Sequence, residues 1–582
     1  MPPFTGYTPL SPSKREIRLL TILPSLLSSS TIKCELSTAS LSSTPGPQYE
    51  ALSYVWGSPA DLKLIQLNKQ PFPVTQNLHA ALRALRPRSG GARRILWVDA
   101  LCINQQDVPE RNAQVAQMRH VYAGARSVAV WLGAATSGSA RGLAFLRAFA
   151  AKVRACEADP EALRAWLVDM CVACGAAHER AWLELARLLR REYWTRAWIY
   201  QEMVLARDAT VYVGRESVSW GDAEAVAFAV DAFEEFLGMV EPPGNEWMVV
   251  GVYHHFYNAA LARAQRRAVG LAGAPTLLDA LCVRRPADAT DPRDKVFSLL
   301  GVVKEHFVGE PELPAGEDVV IDYSRPVEEV YKDVVRHIVR KTNSLDVLCA
   351  CQNPDRDDGL PSWAPDWKVK RTNGPIQNPD QWGHIHFASK PFSSVFYIDP
   401  PDDDTLVVRG VYMDSVTAVG DEHTYGRDWE ELKENWKSLA LTCAWAFESA
   451  AEAGPCYVTT EPIPVAFFHT VTMGRIEGDD VSDVKVNVAR MEAIERRRFF
   501  VMDKGFMALG PAQTRVGDKV VVLEGMHVPI VVRKDEEGGG HAVVGEAYVH
   551  GLMDGEAFNE KMGDGWEATL GRRLETEKFL LR

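Results

Sequence analysis

The chain has 582 residues, 46% of them hydrophobic and 24% charged, a composition typical of a globular protein of roughly two to four domains. Its formal net charge of −13 argues against nucleic acid or an anionic membrane as a general electrostatic partner. The ten cysteines are scattered in mostly apolar contexts, and no uncharged run reaches transmembrane length. We therefore expect a cytoplasmic protein with reduced thiols and no membrane span.

The N-terminal part of the chain alternates strand and turn signals. Residues 1–14 are rich in Pro, Ser and Thr, and we expect them to form a loose arm. Strands are predicted at 17–23, 31–36 and 49–57, and a short helix is predicted at 78–85.

Residues 95–133 have the pattern of a strand, a loop, a helix and a second strand. The apolar run at 95–98 has the length and β-branched content of a buried strand, and Asp99 ends it. Apolar residues recur at helical spacing over 111–125, and a second apolar run follows at 127–132. We predict a βαβ unit whose two strands are parallel neighbours.

The loop of this unit carries polar residues. Asp107 can cap the helix, with Glu110 at the capping-box position. We expect Asp99, Asn104 and Gln105 to lie at the carboxyl end of a central strand, where open α/β sheets bind ligands. Asp99 either binds a ligand hydroxyl or caps the adjacent turn, and the two amides suit either ligand binding or loop closure.

Glu202 is a second carboxylate with a functional interpretation. It follows Trp198 by four residues, so on a helix the two share one face and an aromatic ring lies beside a carboxylate. An apolar neighbour raises the pKa of a carboxyl group, which suits an acid/base or hydroxyl-binding role. The alternative, which the local sequence alone favours, is an ion pair with Arg196 or Arg207.

The common phosphate-binding, hydrolase and zinc-protease signatures are absent from the sequence. Cys171 and Cys174, with His178, resemble half of a zinc site, but no second ligand pair has the required spacing. We therefore predict no metal site and no resident cofactor.

The rest of the chain changes composition twice. Residues 137–191 are rich in Ala, Leu and Arg and predict helices, whereas 209–213 predicts a strand. Residues 216–355 predict a mostly helical region. Near Leu360 the chain becomes rich in Pro and Asp, and short strand patterns then predict a small β-rich unit with a helix inserted at 429–446.

Three blocks of the sequence together resemble the fungal heterokaryon incompatibility (HET) domain: YEALSYVWG (Tyr49–Gly57), LWVDALCINQQDVPERNAQVAQMRHVYAGARSVAVWLG (Leu96–Gly133) and YWTRAWIYQE (Tyr193–Glu202). Later pieces resemble segments that often follow this domain in longer members of the family: TDPRDKVFSLLG, IDYS, LPSWAPDW and VGEAYVHGLMDGEA. The resemblance implies a role in non-self recognition, in which the fusion of incompatible fungal cells triggers programmed cell death.

The HET domain is distantly similar to Toll/interleukin-1 receptor (TIR) domains, which have a flavodoxin-like parallel sheet. The resemblance therefore implies an α/β fold with such a sheet, followed by a mostly helical region and a C-terminal β-rich unit. Many TIR domains cleave NAD at the nicotinamide–ribose bond with a Glu in a W-x-x-x-E pattern, and the residues from Trp198 to Glu202 have that spacing. By this analogy Glu202 becomes the catalytic candidate.

Two functions follow from the resemblance. In the first, the domain hydrolyses NAD as a substrate, and the residues proposed to bind that substrate are Trp56, Asp99, Asn104, Gln105, Arg196, Trp198 and Gln201. In the second, the domain is a death-signalling adaptor that self-associates or binds an incompatibility partner, and the same residues only hold its fold.

The expected domain organisation has four parts. A loose arm at 1–14 precedes the HET domain at 15–215, which contains a helical insert at about 137–191. A mostly helical region at 216–355 and a β-rich region at 356–582 complete the chain.

Overall fold

The structure, a computed structural model, describes residues 4–25, 30–88, 93–156, 159–172, 176–232, 250–270, 274–304, 319–351, 359–370, 376, 386–390, 395, 397, 398, 402, 404–424, 431, 433, 435–438, 440, 463–474, 494–535, 539–558 and 575–582. The chain folds into two compact units. The first comprises Met1–Glu312 and Val320–Arg325, and the second comprises Leu313–Val319 and Pro326–Arg582.

A mixed sheet forms the centre of the first unit. Its strands are β1 (Glu16–Ile22), β2 (Lys33–Ser40), β3 (Glu50–Tyr54), β4 (Leu62–Leu67), β5 (Gln70–Thr75), β6 (Arg94–Trp97), β7 (Ser127–Trp131), β8 (Ala209–Val213) and β9 (Glu216–Ser219). Across the sheet they lie in the order β5-β4-β2-β1-β6-β3-β7-β8-β9. The predicted strands of this part of the chain are thereby confirmed.

The longest run of parallel strands lies at the centre of this sheet, and β2 and β4 form a separate parallel pair. β6, β3, β7 and β8 are mutually parallel, whereas β1 is antiparallel to β6 and β9 is antiparallel to β8. The sheet is therefore mixed, and its likeness to a flavodoxin-like or TIR-like parallel sheet stays a prediction. The flanking hairpins have short connections, and short connections join antiparallel strands, whereas parallel neighbours need a long crossover.

The strands at 94–97 and 127–131 are parallel, as predicted, but they are not neighbours. β3 lies between them and pairs with both, through Glu50 with Leu96 on one side and Tyr54 with Trp131 on the other. Numbered along the chain, the four parallel strands therefore lie in the order second, first, third, fourth. The carboxyl ends of β3 and β6 meet at the same edge of the sheet, beside the point where this order reverses.

Helices surround the sheet and extend beyond it. The helices of the first unit are α1 (Gln76–Leu85), α2 (Asp99–Cys102), α3 (Val108–Ala116), α4 (Met118–Gly124), α5 (Ser139–Ala155), α6 (Pro160–Val172), α7 (Ala176–Leu189), α8 (Ile199–Leu205), α9 (Trp220–Ala232), α10 (Val250–Val269), α11 (Leu277–Arg284) and α12 (Asp294–Phe297). Two short 3₁₀ segments are Pro12–Lys14 and Glu192–Thr195. The helices predicted over 137–191 are confirmed, and α5 packs against α7 and α9.

The single helix predicted over 111–125 is in fact two, α3 and α4, which meet at Gln117. Asp107 is the N-cap, as predicted, and its Oδ1 accepts a hydrogen bond from the Glu110 N–H at 3.0 Å. The Glu110 carboxylate does not complete a capping box. It forms a bidentate pair with the buried Arg18, at 2.6 and 2.8 Å, because burial of a guanidinium requires an opposite charge.

Replacing Asp107 by Ala should lower the free energy of unfolding of the first unit by about 1 kcal/mol, since the Glu110 N–H loses its acceptor. Asp107→Asn keeps an acceptor oxygen and should cost much less. Hydrogen exchange at the Glu110 amide measures the effect locally. Equal exchange rates in parent, Asp107→Ala and Asp107→Asn would contradict the assigned cap.

The described part of the N-terminal arm, expected to be loose, makes specific contacts. The Tyr7 hydroxyl donates to the Leu101 carbonyl at 3.2 Å, and the guanidinium of Arg18 lies 4.7 Å from the Tyr7 ring centroid. Arg18 also donates to the Thr8 carbonyl at 2.6 Å and to the Cys102 carbonyl at 3.0 Å. These contacts tie the arm to α2, which follows β6.

The second unit is rich in β-structure, as predicted. Its strands are β10 (Tyr397–Ile398), β11 (Leu406–Glu422), β12 (Arg497–Met502), β13 (Met507–Pro511), β14 (Lys519–Leu523), β15 (Ile530–Lys534), β16 (His541–Glu546), β17 (Tyr548–Val549) and β18 (Thr576–Leu581). The long strand β11 pairs with both β14 and β18, so β14, β15, β16, β18 and β11 close into a barrel. Closure removes free strand edges.

A core cluster of buried apolar residues is formed by β12 together with β11, β14, β15 and β16: Val411, Met413, Val416, Phe500, Met502, Val520, Val522, Val531 and Val544. The helices of the second unit are α13 (Val327–Thr342) and α14 (Ile463–Thr472), with 3₁₀ segments at Asp346–Ala350 and Glu556–Phe558. The inserted helix predicted at 429–446 lies largely outside the described residues.

The two compact units divide the chain near Pro326, whereas the composition change near Leu360 suggested a later division. Helix α13 belongs to the second unit. The four-part domain organisation stays a prediction. Among the described residues, the helices are all too short or too polar to cross a membrane.

Candidate functional site

Glu202 lies in the first turn of α8 and packs against the carboxyl end of β3. It is 3% exposed, and its Oε2 accepts a hydrogen bond from Ser53 Oγ. Ser53 is fully buried, and its Oγ also lies 2.7 Å from the Tyr193 hydroxyl. When Glu202 is ionised, the single proton of the serine hydroxyl goes to the carboxylate, so Tyr193 donates to Ser53. The result is a directed chain of hydrogen bonds that ends on Glu202.

Asp99 is the second carboxylate of this edge of the sheet. It is the first residue of α2, directly beyond β6, and it is half-buried. Its Oδ2 accepts a hydrogen bond from Trp56 Nε1 at 2.7 Å, and its Oδ1 accepts one from the Ala100 N–H at 2.7 Å. The Asp99 side chain therefore caps the adjacent turn, one of the two roles that the sequence left open, and its binding of a ligand hydroxyl stays a prediction. Trp56, which is 41% exposed, forms the solvent side of the pair.

Arg196 supplies the positive charge of the site. Its Nη1 donates to the Tyr54 carbonyl at the end of β3, and its charge acts on both Glu202 and Asp99. Burial of the Arg196 guanidinium opposes its charge, but the two carboxylates outweigh that effect and raise its pKa. Arg196 therefore stays cationic.

The ion pair between Glu202 and Arg207, one form of the structural alternative, does not form. The Arg207 Nε donates to the Ala123 carbonyl at 2.9 Å instead. The Glu202 carboxylate is hydrogen-bonded to the side chains of Ser53 and Tyr122, and Arg196 acts on it through its charge.

Burial dominates the protonation of both carboxylates. It raises the pKa of Glu202 to about 7, although Arg196 and the Ser53 hydroxyl favour the ionised form. It also raises the pKa of Asp99, against the opposing effects of Arg196 and of the hydrogen bond from Trp56. Two neighbouring carboxylates disfavour each other's charge, so Asp99 contributes to the raised pKa of Glu202. A carboxyl group with a pKa near neutrality is suited to proton transfer or to binding hydroxyl groups.

The two amide residues of the loop hold the loop itself. Gln105 Nε2 donates to the Asp99 carbonyl at 3.0 Å, and Asn104 Oδ1 accepts from the Gln106 N–H at 3.4 Å. The Asn104 N–H donates to Glu110 Oε1 at 2.7 Å. Gln105 therefore supports the backbone of Asp99, and Asn104 closes the loop that follows.

The other two predicted residues, Trp198 and Gln201, contact different residues from those that contact Glu202. The Trp198 side chain hydrogen-bonds Asp294. Gln201 is buried, and its Oε1 accepts from the Gly301 N–H at 3.2 Å. The structure thus brings together Trp56, Asp99, Arg196 and Glu202, whereas Trp198 and Gln201 connect α8 to a later segment of the chain.

Sequence reasoning missed three residues of the site: Ser53, Tyr54 and Tyr193. All three lie inside the conspicuous blocks at 49–57 and 193–202, which were interpreted through their tryptophans and charges. The Tyr54 side chain is buried, and its hydroxyl acts on the Asp99 carboxyl group. An alternation of small polar and aromatic residues at the end of a buried strand is the signal that could have identified Ser53 and Tyr54.

No group of three or more His, Cys, Asp or Glu side chains is arranged to hold a metal ion within the residues that the structure describes. The half zinc site considered at Cys171 and Cys174 falls outside that description, because 173–175 and the Cys171 side chain are not part of it.

Two regions of the chain match known protein families. Residues 49–202, which run from β3 to Glu202, match the heterokaryon incompatibility protein (HET) family, and residues 477–564 match the Het-6 beta-barrel domain. The chain is 23% identical to the Neurospora crassa protein named heterokaryon incompatibility protein 6, OR allele, over 94% of this chain and 95% of that protein. No solved structure matches the chain. Two regions of the chain therefore match domains of heterokaryon incompatibility proteins, the HET domain at 49–202 and the Het-6 beta-barrel domain at 477–564.

Proposed function

We propose that this protein acts in fungal non-self recognition and programmed cell death, and that its HET domain hydrolyses NAD at the nicotinamide–ribose bond. The similarity to the Neurospora protein over nearly the whole of both chains supports the first part. The observation that supports the second is the Glu202 carboxyl group, buried at a sheet edge beside Ser53, with its pKa raised to about 7.

The position of the site supports a ligand-binding role. Flavodoxin-like sheets have the strand order second, first, third, fourth, fifth, and they bind ligands beside the point where the order reverses. The parallel strands of this chain follow the same order as far as the fourth. Ser53 and Tyr54 end the first of these strands, and Asp99 follows the second. A TIR-like arrangement of the HET domain is consistent with this order and forms part of the proposal.

In the proposed reaction, the bond between ribose C1′ and the nicotinamide nitrogen breaks, and its electron pair leaves with neutral nicotinamide. The ionised Glu202 binds the ribose hydroxyls and stabilises the positive charge that develops on the sugar. Water adds to C1′ and loses its proton, which leaves ADP-ribose. Arg196 favours the ionised form of Glu202, and the exposed Trp56 offers a ring for stacking.

The second candidate is a non-enzymatic adaptor that assembles with itself or with an incompatibility partner. The observation that favours it is the burial of Glu202, which is 3% exposed and already hydrogen-bonded within the fold. In this case the Tyr193–Ser53–Glu202 chain joins α8 to β3, and its loss should destabilise the domain.

The experiment that separates the two incubates the purified full chain with NAD, with and without a crowding agent, and follows the release of nicotinamide. Crowding is included because such an enzyme can require assembly. Nicotinamide release that depends on Glu202 supports hydrolysis, whereas intact NAD under both conditions, together with cell killing on overexpression, supports the adaptor.

A further inference from the structure

A segment beyond the matched HET region runs along the block that carries Glu202. Asp288 pairs through its backbone with Thr195 and Ala197, at 2.5 and 2.8 Å. The buried Arg284 donates from Nη2 to the Arg196 carbonyl at 3.2 Å. Near its other end, the segment meets α8 where the Gly301 N–H donates to Gln201. Residues 284–301 therefore contact the block 195–202 at several points along its length.

The side-chain link in this contact is Asp294. Its Oδ1 accepts a hydrogen bond from the Tyr323 hydroxyl at 2.6 Å, and its carboxylate also accepts from the Trp198 side chain. Tyr323 is held in turn by Asn112, whose Oδ1 accepts from the Tyr323 N–H at 3.1 Å. The Asp294 carboxylate thus joins the beginning of α8 to a framework fixed on α3.

Trp198 is the residue from which this link reaches the proposed site. It is the N-cap of α8, and its carbonyl accepts the hydrogen bond of the Glu202 N–H at 3.2 Å. One turn of helix therefore separates the indole held by Asp294 from the carboxylate that faces Ser53. Because the Glu202 N–H bonds to the Trp198 carbonyl, a hydrogen bond that holds the Trp198 indole also helps to fix the start of the turn that carries the Glu202 side chain.

We propose that Asp294 is a positioning residue for Glu202, acting through Trp198, and that the segment 284–301 is a working part of the site although it lies beyond the matched region at 49–202. The role of Asp294 in turnover rests on the proposed NAD hydrolysis. The hydrogen bond between Asp294 and Trp198 is independent of that proposal. A role of this kind predicts a loss of turnover without a matching loss of folding.

The Asp294 carboxyl group changes its charge at a pH at which its neighbours do not, so its contact with Trp198 can be followed by titration. Burial raises the pKa of Asp294 to about 6, against the hydrogen bonds from Tyr323 and Trp198. The other groups that face it keep their charge state near that pH. Arg293 holds the pKa of Asp291 below its usual range, Arg196 stays cationic, and burial keeps Tyr323 protonated. Asp294 is therefore the group expected to titrate beside the Trp198 indole.

The test labels the full chain with 5-fluorotryptophan and identifies the Trp198 fluorine resonance as the one absent from Trp198→Phe. We expect this resonance to shift with pH around 6, to lose that shift in Asp294→Asn, and to keep it in Glu202→Gln. Asp291→Asn should keep the shift with a lower midpoint, because the charge of Asp291 contributes to the raised pKa of Asp294. Glu202→Gln excludes Glu202 as the source of the titration. Asp291→Asn is the matched control, since it removes an ion pair of the same segment without touching Trp198. A Trp198 resonance that does not respond to pH, or that responds equally in Asp294→Asn, overturns the link.

Turnover tests the positioning role. Asp294→Asn and Trp198→Phe should each lower kcat about tenfold with little change in KM, and the double variant should lose no more than either alone. Asp291→Asn should retain kcat within about twofold. Equal losses in Asp291→Asn and Asp294→Asn, or strictly additive losses in the double variant, overturn the role. If the parent chain releases no nicotinamide, the proposed hydrolysis fails, and the fluorine titration still decides whether the Asp294–Trp198 link exists.

Discussion

Replacing Glu202 by Gln should lower the kcat of NAD hydrolysis by about a hundredfold or more, equivalent to about 3 kcal/mol of barrier. The amide keeps the size of the side chain and an oxygen that accepts the Ser53 hydrogen bond, so the buried contact survives. What it removes is the negative charge that the developing positive charge on the ribose requires. Because that charge is not needed for packing, we expect the loss in turnover and not in folding.

The pH dependence of stability gives this prediction an independent check. Burial raises the pKa of Glu202 from an ordinary 4.5 to about 7, so the folded chain binds a proton at this site over a range in which the unfolded chain has released it. The stability that this proton provides is present below pH 4.5 and is lost as the pH rises towards 7. Glu202→Gln has no such proton to lose. Its Tm should therefore rise relative to that of the parent as the pH increases through this range.

Two variants control this experiment. Glu192→Gln changes an exposed carboxylate immediately before the block 193–202 and should alter neither turnover nor Tm. Ser53→Ala removes the hydroxyl that connects Tyr193 with Glu202 and should lower both, because it leaves two buried polar groups without their partner. Cell killing that persists in Glu202→Gln at equal expression would contradict the catalytic assignment and favour the adaptor.

Breaking the buried ion pair of the second unit should destabilise that unit by about 3–5 kcal/mol. Arg497 Nη2 lies 2.8 Å from Glu546 Oε1, and the side chains are 1% and 2% exposed. The Ile376 N–H donates to both Glu546 oxygens, at 3.1 and 3.2 Å. Glu546→Gln keeps an acceptor but leaves the Arg497 charge buried without its counterion. The expected result is a large drop in the denaturation midpoint of the second unit.

Comparison with apolar and exposed variants shows whether the missing counterion is the cause. The double variant Arg497→Met, Glu546→Leu removes both charges and should be less destabilised than Glu546→Gln alone. Asp503→Asn removes the exposed pair with Lys504 in the same unit and should cost less than about 1 kcal/mol. A midpoint for Glu546→Gln equal to that of Asp503→Asn would contradict the buried pair.

The sequence by itself determined the local elements of this protein. The strands around 95–98 and 209–213, the N-cap at Asp107 and the β-rich composition after Leu360 all follow from short-range patterns of apolar, capping and turn residues. Those patterns depend on backbone geometry and on neighbours a few positions away, and both are present in the sequence. The blocks that resemble the HET domain were likewise recognisable in the sequence. Glu202 and Asp99 were identified as candidates because each carboxylate follows aromatic or apolar residues.

Only the tertiary structure decided which elements and side chains meet. The sequence predicted the strands at 95–98 and 127–132 as parallel neighbours, but the buried strand β3 lies between them and pairs with both. Trp198 and Glu202 share a helix face by spacing, yet Asp294, 92 positions beyond Glu202, binds the indole while Ser53, 149 positions before it, binds the carboxylate. Partners so distant in the chain are selected by packing and by the need to satisfy buried polar groups, and neither is encoded in local spacing.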